Sequence, residues 1–200
     1  MKGYRRLAYA DLPEETRALA RALVGCVLVR RSVDGIAAGR IVETEAYLPR
    51  DPACHAFGGK SARNATLFGP PHRAYVYQIY GTSFCFNLSS EADGLGAGVL
   101  VRALEPIDGL DLMRRRRGVE SPRELCRGPG RLCSALEIDR RFDGVDPLHH
   151  PDLWLAAPAR PARRIRTSPR IGIRLATSRR LRYYEAGNSY VSGPARLSPP

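Results

Sequence analysis

Hydrophobic residues near the start of the chain recur at the spacing of one helix face. Between residues 11 and 24, apolar Leu12, Leu19 and Leu23 fall at this spacing, acidic residues come first, and Gly25 follows. Acidic residues favour the beginning of a helix and glycine favours its end. The pattern predicts a helix over residues 11–24.

Runs rich in β-branched and aromatic residues follow, separated by turn-forming residues. Asp34-Gly35 suits a tight hairpin turn, and Gly81-Thr82-Ser83 suits a second one. The predicted strands are residues 26–31, 36–47, 74–80, 84–89 and 99–103. The sequence therefore predicts two hairpins and a further strand.

The second half of the chain has less regular patterns, which predict secondary structure less clearly. Ser121, Pro122 and Glu124 have the arrangement of a capping box, which predicts that a helix begins there. Residues 128–130, Gly-Pro-Gly, break that helix, and residues 131–136 continue as a second helical piece. We interpret residues 143–164 as loops around one strand at 153–157, and residues 48–71 as a long loop of the kind that often carries function.

Charge favours an anionic partner. The net charge is +12, and nucleic acid is the commonest large partner of a basic protein, with a membrane surface as the rival. No stretch approaches 18 uncharged apolar residues, and the N-terminus lacks an apolar signal-peptide core. We expect a soluble, unsecreted protein that does not bind membranes.

The cysteines and lysines restrict the chemistry. The five cysteines are odd in number and lack CxxC pairing, so we expect mostly buried thiols in a reducing compartment and no zinc or other metal site; they are Cys26, Cys54, Cys85, Cys126 and Cys133. Lys2 and Lys60 are the only lysines, one near the terminus and one in a glycine-rich loop. Neither is a good candidate for the Schiff-base amine of an enzyme that cuts the DNA strand.

Two carboxylates share one face of a predicted strand. Alternation places Glu43, Glu45 and Tyr47 on one face, opposite Val42, Thr44 and Ala46. The local pattern alone favours a solvated edge strand over a catalytic site.

Aromatic residues crowd around the second predicted hairpin: Tyr75, Tyr77, Tyr80, Phe84 and Phe86. Tyrosines at alternate positions form a platform on which an unpaired base can stack, and a residue at the hairpin tip can wedge into a duplex. For any single tyrosine, core packing is the stronger interpretation. It is weaker for Tyr80, which adjoins the turn. His55, in the long loop, is by itself more typical of a structural or solvated histidine.

These residues occur within a longer series of motifs. The chain resembles the alkyladenine (3-methyladenine) DNA glycosylases over nearly its whole length, with the motifs in family order. They are residues 39–47, 53–55, 63–64, 75–81, 84–87, 99–106, 123–126, 128–129, 169–172 and 187–192.

The resemblance implies a role for each matched residue. Glu45 is the carboxylate that activates water, Arg102 lies near that water, and the carbonyl of Ile171 helps to hold it. The base-stacking residues are Tyr47, His55 and Tyr77, the residue that intercalates into DNA is Tyr80, and the residue that discriminates between purines is Asn87. Thr82-Ser83 replaces bulkier residues common at the hairpin tip.

The resemblance also implies the fold. We expect a mixed α/β (α+β) protein, with one domain over residues 1–200. A curved, largely antiparallel β-sheet would carry helices on its outside and a protruding β-hairpin that inserts into DNA.

The implied function is a monofunctional DNA glycosylase of base excision repair. It would flip alkylated or deaminated purines (3-methyladenine, 7-methylguanine, and also hypoxanthine and ethenoadenine) out of double-stranded DNA and excise them by hydrolysis, without lyase activity. We expect a monomer, cytoplasmic and nucleoid-associated in a bacterium or nuclear in a eukaryote. A non-catalytic nucleic-acid-binding domain of related fold and a basic RNA-binding protein are the alternatives.

Overall fold

The computed structural model describes residues 3–79, 81–158 and 160–198. The helices in this part of the chain are α1 (Thr16–Leu23), α2 (Leu110–Arg117), α3 (Pro122–Leu125) and α4 (Pro129–Leu136). The strands are β1 (Val27–Ser32), β2 (Gly35–Tyr47), β3 (Ala74–Ile79), β4 (Ser83–Ser89), β5 (Gly98–Asp108), β6 (Leu153–Ala156), β7 (Ile165–Ser168) and β8 (Arg182–Glu185). None of these helices has both the length and the apolar character needed to cross a bilayer.

The strands form one curled antiparallel sheet in the order β3-β4-β5-β2-β1-β6, with β8 pairing with β2 and β7. The long strand β2 is central. β5 runs along one edge of it, while β1 pairs with its first half and β8 with its second half. The mixed α/β class and the curved sheet are therefore confirmed.

The main core lies between one face of this sheet and the helices. Leu19 and Leu23 of α1 and Leu132 and Leu136 of α4 are fully buried there, together with Phe86 of β4. Burial of such side chains is the chief stabilising contribution to the fold. The helices thus cover one face of the sheet.

A β-bulge interrupts the alternation along β2. The register against β5 shifts between Ile41 and Glu43, so that Val42 packs with Tyr184 and Val191. Ala46, by contrast, lies in the main core on the helix side. The prediction that Val42 and Ala46 share a face was wrong, because a bulge adds one residue to the strand and changes the side to which its neighbours point.

Several boundaries differ from the prediction. α1 begins at Thr16 rather than residue 11, because Pro13 keeps Leu12 extended and the Glu15 carboxylate caps the amides of Arg17 and Ala18. α4 begins at Pro129 rather than at residue 131, because this proline occupies the first turn of the helix instead of interrupting it. In α3 the Ser121 side chain makes no capping hydrogen bond.

Two parts of the fold were not predicted. α2 carries four consecutive arginines, Arg114 to Arg117, and buries only Leu112 and Met113, so its apolar stripe is too narrow to recognise. β7 and β8 are short and rich in polar residues. β5 also extends well beyond residues 99–103.

Strand β3 lies at the end of the sheet, yet its outer edge is covered. The Ala74 amide donates to the Val145 carbonyl and the Ala74 carbonyl accepts from the Gly144 amide. The Val76 amide donates to the Asp143 carboxylate, and the Val76 carbonyl accepts from Arg140. Residues 140–145 therefore satisfy the outward-facing backbone groups of β3 at these positions.

β3 and β4 pair as an antiparallel hairpin, with Tyr77 opposite Cys85 and Ile79 opposite Ser83. Tyr80, the residue expected to intercalate, lies outside the described residues. That this hairpin inserts into DNA stays a prediction.

Candidate active site

A pocket of about 490 Å³ lies where β2, β3, β4 and β5 meet the segment that follows β7. Six of the residues to which the family resemblance assigns roles line it: Tyr47, His55, Tyr77, Asn87, Arg102 and Ile171. Glu45 is fully buried and contacts three members of this lining. The structure thus brings residues far apart in the sequence to one place.

Glu45 accepts hydrogen bonds from both sides of the pocket. The Tyr47 hydroxyl donates to Oε2 at 2.9 Å, and the Ile171 amide donates to Oε1 at 2.7 Å. Arg102 Nη1 lies 3.3 Å from Oε2. The local interpretation of a solvated edge strand is therefore wrong, because β2 is central and its second half is covered by both β5 and β8.

The neighbouring carboxylate, Glu43, is equally buried and holds Arg102 from its other side. Arg102 Nε lies 3.3 Å from Glu43 Oε1. Glu43 also accepts from Arg182 Nε at 2.5 Å and from the Ser192 amide at 2.6 Å. Glu43 thus helps to hold the Arg102 guanidinium against Glu45. Glu43 is itself held by Ser192, which lies at the end of the matched segment 187–192.

Burial raises the pKa of Glu45, because an ionised carboxylate loses its hydration inside the protein. The Arg102 guanidinium, the Ile171 amide and the Tyr47 hydroxyl act in the opposite direction. Burial alone lowers the pKa of Arg102, but Glu45 and Glu43 raise it overall. The result is a carboxylate that is held by donors yet is a stronger base than an exposed glutamate.

The peptide groups of Ile171 contribute in two ways. Its carbonyl accepts a hydrogen bond from Arg102 Nη1 at 3.2 Å, while its amide donates to Glu45. The sequence predicted a role for the carbonyl only. The amide contact has no signature in the sequence, because any residue type can supply it.

Aromatic rings form one wall of the pocket. The rings of Tyr75 and Tyr77 lie 5.3 Å apart, and that of His55 meets Tyr77 edge-on at 4.4 Å. His55 Nδ1 and the Tyr75 hydroxyl are 3.0 Å apart, which fixes the imidazole. Phe84 and Phe86 pack in the main core instead, because the other face of the hairpin lies against α4. The aromatic platform is therefore smaller than the sequence suggested.

A sequence model of the methylpurine-DNA glycosylases matches residues 10–189. The chain belongs to this family. Membership makes it a DNA glycosylase, a hydrolase that acts on glycosyl bonds, with DNA as its substrate.

Individual relatives are similar over nearly the whole chain, and each carries the name "Putative 3-methyladenine DNA glycosylase". One from Mesorhizobium japonicum is 51% identical over 191 residues, which cover 96% of this chain and 92% of the relative. One from Nitrosospira multiformis is 46% identical over 89% of each chain. One from Methanoculleus marisnigri is 45% identical over 93% of this chain and 98% of the relative.

In this glycosylase, Asn87 is oriented by the backbone of its own hairpin. Its Nδ2 donates to the Tyr75 carbonyl at 3.0 Å and more weakly to the Cys85 carbonyl at 3.4 Å. The Asn87 side chain is nearly buried but lines the pocket. Its position is therefore fixed before any base enters.

The pocket of the glycosylase also contains residues to which the sequence assigned no role. Arg63, Arg174 and Leu175 line it and are exposed. Arg63 belongs to a matched motif, so the resemblance was a usable signal for it, whereas segment 173–175 had none. Burial and repulsion by Arg63 lower the pKa of His55, so that its imidazole is neutral at pH 7.

The burial predicted for the cysteines of the glycosylase is confirmed. All five are buried free thiols. Cys85 lines the pocket and pairs with Tyr77 across the hairpin, and burial raises the pKa of its thiol. Within the described residues, no group of three histidine, cysteine or acidic side chains is arranged to hold a metal ion.

Proposed function

We propose that this glycosylase removes alkylated purines from double-stranded DNA, with 3-methyladenine and 7-methylguanine as substrates and with hypoxanthine and ethenoadenine as further ones. The observation that carries the proposal is the position of Glu45, held by Tyr47, Arg102 and Ile171 against a pocket with an aromatic wall. A domain that only bound nucleic acid would gain nothing from burying a carboxylate there, since burial of a charge is costly.

The chemistry follows from the bond that breaks. A base within a duplex is out of reach, so the nucleotide must rotate into the pocket. The bond from C1′ to the base then breaks with its electron pair on the base. A cationic alkylated purine leaves as a neutral molecule, whereas neutral hypoxanthine or ethenoadenine must also take up a proton from water on its ring. Positive charge develops on the sugar, which Glu45 stabilises while it takes a proton from the attacking water.

The lining of the pocket favours the binding of electron-poor bases. The π faces of Tyr47, Tyr77 and neutral His55 attract a cationic purine more strongly than a neutral one. Asn87 would exclude unmodified guanine by crowding its exocyclic amino group. Arg63 and Arg174 at the mouth would contact the phosphates on either side of the flipped nucleotide.

The remaining parts of the proposal rest on the family resemblance and on composition. Tyr80 would fill the gap left in the duplex. The protein would act as a monomer without binding membranes, in the cytoplasm at the nucleoid of a bacterium or in the nucleus of a eukaryote. It would leave an intact strand, because Lys60 is exposed and offers no buried amine for a Schiff base. Lys2, the other lysine of the sequence, lies outside the described residues.

Incubation with methylated or hypoxanthine-containing duplex, followed by alkali, tests the proposal. We expect an alkali-labile abasic site at the position of each lesion and none in undamaged duplex or RNA. Binding of these nucleic acids without abasic sites would instead support a non-catalytic or RNA-binding domain. Strand breaks before alkali would contradict the absence of lyase activity.

A further inference from the structure

Asp51 is a fully buried carboxylate just outside the pocket, and the sequence assigned it no role. Both of its oxygens bind Arg170, at 2.7 Å to Nη1 and 3.1 Å to Nη2. A second guanidinium, that of Arg179, lies 3.8 Å away. Arg170 is itself fully buried, so the pair is shielded from solvent.

The two arginines stand at the two ends of one loop. Residues 170–179 carry Ile171 and the exposed Arg174 and Leu175 along one wall of the pocket. Because Arg170 and Arg179 converge on the same carboxylate, Asp51 ties the two ends of this loop together. The Ile171 amide that reaches Glu45 is adjacent to the first of these ties.

Asp51 also orders the opposite wall. Its Oδ1 accepts from the Ala53 amide at 3.1 Å, and its carbonyl accepts from the Cys54 amide at 2.8 Å. These bonds shape the turn that precedes His55. One side chain therefore links the loop that carries His55 to the loop that carries Ile171.

Arg170 extends this link to β2. Its Nη1 also donates to the Ala46 carbonyl at 3.0 Å, and its guanidinium carbon lies 4.6 Å above the Tyr47 ring. Tyr47 in turn donates to Glu45. Asp51 and Arg170 thus contact the supports of Glu45 on both sides without touching the pocket themselves.

Asp51 is ionised in this setting. Burial alone would raise its pKa, but hydrogen bonds from Arg170 and the Ala53 amide lower it overall. A bidentate carboxylate and guanidinium pair also restricts orientation as well as distance. The pair is suited to fixing geometry.

We propose that Asp51 is a positioning residue of the excision reaction, which holds Ile171 and Tyr47 in register with Glu45 through Arg170. This role rests on the proposed function. A displacement of about 1 Å at a reacting group can cost about 100-fold in rate. Loss of the tie therefore lowers the rate of base release, whereas duplex binding, which depends on surface arginines, changes little.

Asp51→Asn tests this role, because it preserves size and removes the charge. Base release is measured in a single turnover on methylated duplex, below the melting temperature of each variant, alongside duplex affinity. The matched control is Glu185→Gln, which disrupts another buried carboxylate pair, with Arg40. Glu185 contributes nothing to the pocket lining. Arg170→Lys is the second variant, because it keeps the charge but loses the bidentate geometry.

For Asp51→Asn we expect base release to slow about 100-fold with affinity nearly unchanged. Arg170→Lys should fall between this variant and wild type, and Glu185→Gln should release base at the wild-type rate. Hydrogen exchange of the Ile171 amide should accelerate in Asp51→Asn but not in Glu185→Gln.

Three outcomes would overturn the role. If the wild type is active, a folded Asp51→Asn variant that releases base at the wild-type rate overturns the role of Asp51 but leaves the proposed function standing. The same holds if Glu185→Gln slows base release as much as Asp51→Asn does. A wild-type protein that releases no base from any damaged duplex overturns the proposed function, and this role with it.

Discussion

Arg102 contacts both Glu45 and Ile171 through one nitrogen: Nη1 lies 3.3 Å from the Glu45 carboxylate and 3.2 Å from the Ile171 carbonyl. A positive group beside a buried carboxylate favours its ionised form. The same contact holds the carboxylate against the loop on which Ile171 lies. Arg102 therefore affects both the pKa and the position of Glu45.

Glu45→Gln should bind damaged duplex but release base at least about 100-fold more slowly, because the amide cannot accept the proton of water. Single-turnover excision and duplex affinity measure the two effects separately. Glu185→Gln is the control for loss of a buried carboxylate. Near-normal excision by Glu45→Gln would exclude Glu45 as the base.

Arg102→Gln should shift the acid limb of the excision rate to higher pH. Arg102 lowers the pKa of Glu45, so its removal raises that pKa, and a higher pH is then needed to ionise the base. The pH profile of the single-turnover rate measures the shift. Arg102→Lys keeps the positive charge and should shift the limb less, and a limb that moved to lower pH would contradict the assignment.

Arg63→Gln should raise the pKa of His55 towards its ordinary value of 6.5. Burial still lowers that pKa in the variant, but the repulsion by the guanidinium is gone. Titration of the His55 ring by NMR measures the change. Arg174→Gln removes another pocket arginine and serves as control, since Arg174 has no part in this shift; an equal change in both variants would argue against direct repulsion by Arg63.

Folding stability should depend on Glu185 at acid pH. Burial alone would raise its pKa, but hydrogen bonds from Arg40, the Arg163 amide and Asn188 lower it to about 2 from 4.5. Because the folded state holds the ionised form, this stabilisation is complete above 4.5 and is lost as the pH falls towards 2.

Urea unfolding of wild type and Glu185→Gln at several pH values tests this dependence. The free energy of unfolding of the variant should be lower near neutral pH and should fall less on acidification. Asp11→Asn, which removes an exposed surface pair with Arg5, is the control. Parallel curves for wild type and Glu185→Gln would contradict the prediction.

The sequence predicted the elements with strong periodicity. β1, β2 and the β3-β4 hairpin follow the predicted runs closely, because turn-forming residues separate runs that are rich in apolar and β-branched residues. α2 was missed because burial of Leu112 and Met113, not the propensity of its surface, holds it in place. Tertiary contacts decided what the local pattern could not.

The candidate site shows the same division. Glu45 was found through motifs in family order, whereas its own strand pattern indicated exposure. The local pattern could not reveal that β8 pairs with β2, because β8 lies more than 130 residues away in the chain. Arg170 belongs to a matched motif, but Asp51 belongs to none, and nothing in the sequence paired the two, since their contact appears only when two distant loops meet.

The covered edge of β3 limits how two copies of the protein can associate. An open edge strand is a template on which another chain can add a strand of its own. Here residues 140–145 already occupy the outward-facing groups of Ala74 and Val76. A neighbouring copy bound to the same DNA therefore cannot join its sheet to this one through these positions.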